Sequence, residues 1–369
     1  YKEKMFSRAI AINPKQEKLE TYILKSNYSN DFPGWIKERI KSGNATFLEE
    51  NYLLDFDRNI ASIVKNIKNG KRARLNILGL GDVGGILLIG LRLLGSSSIS
   101  SIGIFDLDQD KLKRWEAELN QIIDPNNLEL PDVDIVSYEN LFDCDMFVFC
   151  ASKGVPPVGS EVKDVRKYQL ASNSKLVSIY AKEARKSKFK GIFAVVSDPV
   201  DQLCYVAYEE SNKDYEGNLD YKGLLPEQVR GYGLGVMYAR SLYYLKSSGH
   251  EYKNSRAYGP HGKELVIAND IESYDDELSK NVTYKTVNAN MDIRGFGYKP
   301  FIAPALSSGA LSIINTLTGK WHYSAVYLDG CYFGVRNRLS KSGMEIERSI
   351  LDEKLASRIT DAYKVLKNE

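Results

Sequence analysis

Three glycines in the pattern Gly79-x-Gly81-x-x-Gly84 join a short apolar segment at 75–78 to an apolar stretch that runs to Leu94. No other feature restricts the fold of this chain as strongly. The first glycine permits a tight turn, and the second lets the backbone approach a pyrophosphate. The third lets a helix pack closely against a strand. The helix that follows presents free N–H groups and the positive end of its dipole to phosphates. A second apolar segment, 101–105, ends at Asp106, where a carboxylate can accept hydrogen bonds from the hydroxyls of an adenosine ribose. The same charge repels a ribose phosphate, so the pattern favours NAD over NADP. The candidate cofactor contacts are Gly79, Gly81, Asp82, Val83, Gly84 and Asp106. Asp108 lies past the expected strand end and reads as a turn or helix-cap residue. Read alone, the glycine pattern is also compatible with a purely structural turn.

The pattern continues beyond this unit. Helical spacing is expected over 110–123 and 166–186, and buried strands over 145–150 and 191–196. Strands that are apolar throughout and alternate with helices imply a parallel sheet covered on both faces. From about Leu224 the texture is less regular. A helix is expected over 233–245, strand-like stretches around Leu265 and over 326–335, and a closing helix over 351–366. Residues 1–72 are rich in Lys, Glu and Asn, with scattered aromatics such as Tyr22, Phe32 and Trp35. Ile60, Ile63, Val64 and Ile67 share one helical face, and Asn69-Gly70 closes that helix. The expected organisation is a helical extension over 1–72, a cofactor domain over 73–222 and a second domain over 223–369.

Composition narrows the choice of function. Fifty Lys and Arg against 48 Asp and Glu leave a net charge of +2, which gives no electrostatic case for nucleic acid or an anionic membrane. No apolar run reaches the ~18 residues of a membrane span. Cys144, Cys150, Cys204 and Cys331 form no CxxC pair and read as reduced, buried thiols, so the cytoplasm is the expected location. The three histidines have no ligand spacing, and no metal site is expected. His250 and His322 have no motif around them.

Further segments follow in a recognisable order. The stretch 151–159, with Gly154, Pro156, Pro157 and Gly159, is followed by Arg166, Leu170 and Asn173. Next come the turn Ser197-Asp198-Pro199-Val200-Asp201, the glycine-rich 231–240 ending in Arg240, and the loop Gly259-Pro260-His261-Gly262. Over 73–369 this order resembles the lactate and malate dehydrogenases. The resemblance implies a doubly wound parallel (Rossmann) sheet followed by a mixed α/β catalytic domain. It also implies hydride transfer between NADH and a 2-oxo acid, in a homodimer or homotetramer. Carried over residue by residue, it makes His261 the acid that protonates the developing alkoxide, Arg240 the anchor of the substrate carboxylate, and Arg166 a loop cation that polarises the carbonyl. Asn173 is carried over as a cofactor contact. Imidazole titrates near neutrality, guanidinium forks onto carboxylates, and a cation arriving on loop closure acts in a water-poor site.

The departures from the family fall in the site itself. Its substrate helix has an acid three residues before the Arg, which orients the imidazole and stabilises its charged form. Met237 stands there. Asp198 stands where the family has Asn, and either pairs with His261 from a new direction or is a turn acid satisfied by backbone. The loop before Arg166 has three extra residues, and Pro157 falls near the position of the malate-type specificity Arg. That disfavours malate unless Lys163 substitutes. Arg294-Gly-Phe-Gly-Tyr resembles a helix start beside the substrate, which places Gly297 there. A Met and a Gly at those places imply an enlarged apolar pocket for a bulky 2-oxo acid. The competing reading is an NAD-binding homologue, weak or inactive in catalysis, with a regulatory or scaffolding role.

Overall fold

The computed structural model describes residues 9–12, 46–49, 60–126, 129–153, 165–328, 330–340 and 343–368. The strands are β1 Ala9–Ile12, β2 Thr46–Glu49, β3 Ala73–Leu78, β4 Ile99–Phe105, β5 Asp132–Ile135, β6 Met146–Phe149 and β7 Ile192–Val195. They continue with β8 Val229–Gly231, β9 Arg256–Tyr258, β10 Val266–Ala268, β11 His322–Leu328, β12 Cys331–Ser340 and β13 Gly343–Ile346. The α-helices are α1 Ala61–Lys68, α2 Asp82–Leu94, α3 Gln109–Asn120, α4 Val165–Lys186, α5 Val200–Ser211, α6 Leu234–Ser247, α7 Asp276–Gly295, α8 Leu311–Thr318 and α9 Glu353–Asn368.

Every residue of β6 and β7 is buried, as are five of the six in β3. Strands this apolar are stable only with both faces covered, and two hydrophobic clusters supply the cover. One sheet of nine strands runs β13-β12-β11-β8-β7-β6-β3-β4-β5. The six strands from β8 to β5 are parallel, and β11 turns the direction by pairing antiparallel with β8. Numbered along the chain from β3, the parallel part has the order 3-2-1-4-5-6 of a doubly wound dinucleotide fold. That order reverses between β3 and β6, and ligands of such sheets bind beyond the strand ends at this point. Register is tight there, with Leu75 opposite Met146 and Leu78 opposite Phe149.

The sequence expectations hold for most elements and fail at three places. The extension is not purely helical, because β1 and β2 pair in parallel as a small sheet of their own. Its helix α1 buries Ile60, Ile63 and Val64 in the same cluster as Ile313 and Leu317 of α8. Tyr22, Phe32 and Trp35 lie outside the described residues. The stretch 326–335 is not one strand but the hairpin β11–β12, with Gly330 at φ +99°. Asp329-Gly330 is a hairpin signal in its own right. The third miss is the 20-residue helix α7, whose N-cap Asp275 accepts from the N–H of Leu278 and whose first turn carries Asp276 and Glu277. A π-helical turn at Pro304–Ala310 precedes α8. Its Ser308 Oγ accepts the N–H of Val236 at 2.8 Å and donates to the carbonyl of Gly233 at 2.6 Å. That closes the start of α6, where Gly233 has no side chain to cap it.

Candidate active site

The glycine turn joins β3 to α2 at the switch point, and each glycine has a separate steric reason. Gly79 has φ +91°, and a Cβ there would lie 2.8 Å from the backbone of Ala151 at the end of β6. A Cβ on Gly84 would lie 1.9 Å from the carbonyl oxygen of Gly79. Gly81 is different, because a Cβ there would meet no protein atom within 4 Å. The fold therefore needs Gly79 and Gly84, whereas Gly81 faces open space at the start of α2, the open side that a bound pyrophosphate would need. Gly81→Val should keep the melting temperature and lose NADH binding. Gly84→Val should lose the fold itself, and parallel melting and fluorescence titrations separate the two.

Asp106 follows β4 directly. Its carboxylate accepts the N–H of Leu80 at 2.8 Å and of Asp108 at 3.2 Å, and the Lys111 ammonium lies 3.3 Å away. Burial works against its charge, but those two N–H groups and Lys111 outweigh it and hold the carboxyl below the usual range. A fixed, ionised acid at the strand end suits ribose hydroxyls. Asp108 caps α3, as its position implies. Val83 packs against the core, and Asp82 is exposed and paired with Lys299 at 3.1 Å. Asn173 on α4 is buried, and its amide braces protein groups. The oxygen accepts the N–H of Lys153, and the nitrogen donates to Ser152 Oγ at 3.3 Å and to the Asp198 carbonyl at 2.8 Å. Ser197 Oγ donates to the Ala151 carbonyl at 2.8 Å, so the turn after β7 is tied to the strand end that contacts Gly79.

That turn also meets the histidine loop. Nδ1 of His261 lies 3.0 Å from Oδ1 of Asp198, with the His261 side chain 13% exposed and that of Asp198 55% exposed. The backbone N–H of His261 donates to Oδ2 of Asp201 at 3.1 Å. A Cβ on Gly233 would lie 2.8 Å from Cβ of His261, so the loop rests on the start of α6. Two turns along α6, Arg240 donates to Oδ1 of Asn290 on α7 at 2.5 Å and to the Met237 sulfur at 3.7 Å. Burial lowers the basicity of Arg240, and Tyr244 and Asp198 act against that. Burial also opposes the charge on His261, but the pull of Asp198 and its hydrogen bond, helped by Asp201, raise the imidazole pKa above its ordinary value. Arg240 acts in the opposite sense.

Residues 73–219 match the family model of the lactate/malate dehydrogenase NAD-binding domain. A malate dehydrogenase of Aliarcobacter butzleri is 26% identical over 303 residues, 75% of this chain and 90% of the relative. An L-lactate dehydrogenase of Borrelia turicatae is 23% identical over 326 residues, 80% of this chain and 95% of the relative. Over most of its length the chain is similar to the lactate and malate dehydrogenases. NAD is the cofactor of its first large unit. Solved structures carry the same fold. The minor L-lactate dehydrogenase of Enterococcus mundtii and the malate dehydrogenase of Archaeoglobus fulgidus in complex with NADH each align with a TM-score of 0.65 at 18% identity. Each alignment covers 80% of this chain and 97% of the neighbour.

The structure brings His261, Asp198 and Arg240 together and leaves other expected residues elsewhere. Gly297 is not at a helix start. It follows the end of α7 in an exposed turn at φ +86°, with nothing within 4 Å of a Cβ built on it. Arg166 lies in the first turn of α4, its side chain outside the described residues together with Pro157 and Lys163. His322 is a core residue whose Nε2 meets Thr316 Oγ1 at 2.9 Å, and burial pushes its pKa down to about 3. His250 is exposed. Cys204 and Cys331 are buried, and Cys144 and Cys150 half-buried. Among the described residues no helix is long and apolar enough to cross a membrane, and no cluster of three His, Cys, Asp or Glu is arranged for a metal ion.

Two site residues, Asn290 and Ser308, escape the sequence motifs, and the role of a third, Asp201, escapes them. The first two act across elements far apart in sequence, and no local pattern marks them. Asp201 was visible as the last residue of the turn motif, but its bond to the His261 backbone was not. Burial pushes the Asp201 carboxyl up to about 6 from an ordinary value of 3.8. A carboxyl raised on folding favours the native state while protonated, and that advantage is lost as pH rises from about 4 to about 7. The loss amounts to at most about 3 kcal/mol. Asp201→Asn keeps an acceptor for His261 and should remove that slope from urea midpoints measured between those pH values.

Proposed function

We propose that this protein is an NAD-dependent oxidoreductase that reduces a 2-oxo acid to the 2-hydroxy acid and catalyses the reverse. Bound NADH supplies the hydride to the carbonyl carbon. The chain supplies the proton and the anchor. Nε2 of His261 donates to the carbonyl oxygen as charge develops there, because Nδ1 is engaged by Asp198. Arg240 holds the substrate carboxylate with the N–H groups left by Asn290 and Met237. By its place in the motif, Arg166 is the cation assigned to polarise the carbonyl. The observation that carries this reading is the placement of the His261–Asp198 pair. It sits on the turn that Ser197 ties to Ala151, and Ala151 is the residue packed against Gly79.

The substrate is a monocarboxylic 2-oxo acid rather than oxaloacetate. Pro157 brings no charge for a second carboxylate, and the neutral Met237 places an apolar side chain beside the anchor. The protein works as a homodimer or homotetramer in the cytoplasm, with domains at 73–222 and 223–369 behind the extension. The test is NADH oxidation against pyruvate, oxaloacetate, 2-oxoisocaproate and phenylpyruvate, with NADH binding measured on the same samples. Turnover on pyruvate or a bulkier monocarboxylate supports the reading, and a preference for oxaloacetate rejects the specificity. Tight NADH binding with no turnover on the panel supports the non-catalytic alternative.

A further inference from the structure

We propose that Asp198 is the positioning residue of His261, and that it acts from the turn after β7 in place of an acid on α6. The proposal rests on the reading of His261 as the proton donor. The position on α6 that shares a face with Arg240 is Met237, a buried thioether that can hold neither a proton nor a charge. The imidazole nevertheless has a carboxylate at 3.0 Å on Nδ1. An ionised carboxylate only accepts, so Nδ1 must carry its hydrogen and Nε2 becomes the nitrogen that exchanges a proton with substrate.

Asp198 is held for this task. Its carbonyl accepts from the buried Asn173, which also takes the N–H of Lys153, and its neighbour Ser197 is tied to Ala151. His261 is gripped twice from this one turn, its ring by Asp198 and its backbone by Asp201. Among the described residues, the charged groups that act on the ring are these two acids and Arg240 of α6. Asp198, helped by Asp201, outweighs Arg240 and favours the imidazolium, which is the form a proton donor needs before each reduction. Asp198 is 55% exposed, so water screens it more than a buried acid, and its pull is correspondingly moderate.

The test titrates the His261 ring by NMR in the full chain, which requires no turnover and so stands apart from the dehydrogenase reading. Asp198→Asn is expected to lower the His261 midpoint by about one unit, a tenfold loss in proton affinity, with NADH binding unchanged. Where turnover is measurable, kcat should fall tenfold to a hundredfold, and the limb of its pH profile should move down with the NMR midpoint. Asp198→Glu, which keeps the charge, should recover most of the midpoint. A merely structural turn acid would shift neither. Because Asn can disturb the turn, the double variant Asp198→Asn with Met237→Asp is the second arm. Return of the midpoint and of kcat in that variant supports exchange of the acid between the two elements. A His261 midpoint unmoved in Asp198→Asn overturns the proposal, whatever the activity.

Discussion

Replacing His261 with Asn is expected to lower kcat for 2-oxo acid reduction by about 10²–10⁴-fold, the usual contribution of a positioned general acid. Asn keeps a polar side chain of similar reach but cannot deliver a proton. The loss should therefore fall on kcat and kcat/KM together, with little change in NADH affinity. The proposed NADH cradle of Gly79, Gly81, Gly84 and Asp106 does not depend on the ring of His261. Turnover within threefold of the wild type in this variant would remove His261 from the mechanism.

The pH dependence has a definite sign. The Asp198 pair raises the His261 pKa above the ordinary 6.5 despite burial. In the proposed reaction, carbonyl reduction uses the protonated ring, so its rate should hold to a pH above 6.5 and then fall as pH rises through the shifted value. Oxidation of the 2-hydroxy acid needs the neutral ring and should rise over the same interval. Folding stability follows the same linkage. A histidine raised on folding contributes fully below its unfolded pKa, and the contribution is lost as pH climbs through the folded value. In His261→Asn that loss should vanish from the stability profile, which separates it from the slope owed to Asp201.

The same residues show where reading a sequence succeeds and where it stops. The glycine turn was legible because its requirements are local. Gly79 must turn and Gly84 must let the helix approach, within six residues of one strand end, and Asp106 ends the next strand. Apolar β6 and β7 announced a covered parallel sheet for the same reason. The acid partner of His261 was legible only as a choice, because Asp198 lies 63 residues away and the fold alone decides which way its carboxylate points. Asn290, 50 residues beyond Arg240, gives no local sign at all. Gly297 was misplaced because α7 was not recognised. Its Asp275 cap and its acidic first turn are the marks that would have moved Gly297 from a helix start to the turn after a helix.

Arg240→Ala is the second large effect. In the proposed reaction, a guanidinium two turns into α6 and partly withdrawn from water would give a substrate carboxylate two parallel, charge-assisted bonds. Removing one partner of such a desolvated pair costs about 2–5 kcal/mol. That corresponds to about 30- to 4,000-fold in kcat/KM, with 1.4 kcal/mol for each factor of ten. The loss should appear mainly as a raised KM, because the carboxylate is bound before and during hydride transfer alike. Arg240→Lys keeps the charge and loses the fork, so it should fall between Ala and the wild type. Asn290 refines the argument, since it already accepts from one nitrogen of the guanidinium at 2.5 Å. It thereby fixes the plane of the fork, and Asn290→Ala should raise KM by a smaller factor than Arg240→Ala while leaving the charge in place. If Arg240→Ala leaves KM and kcat/KM for every accepted 2-oxo acid within threefold, the carboxylate is not held here. The site must then recognise its substrate by something other than the acid group.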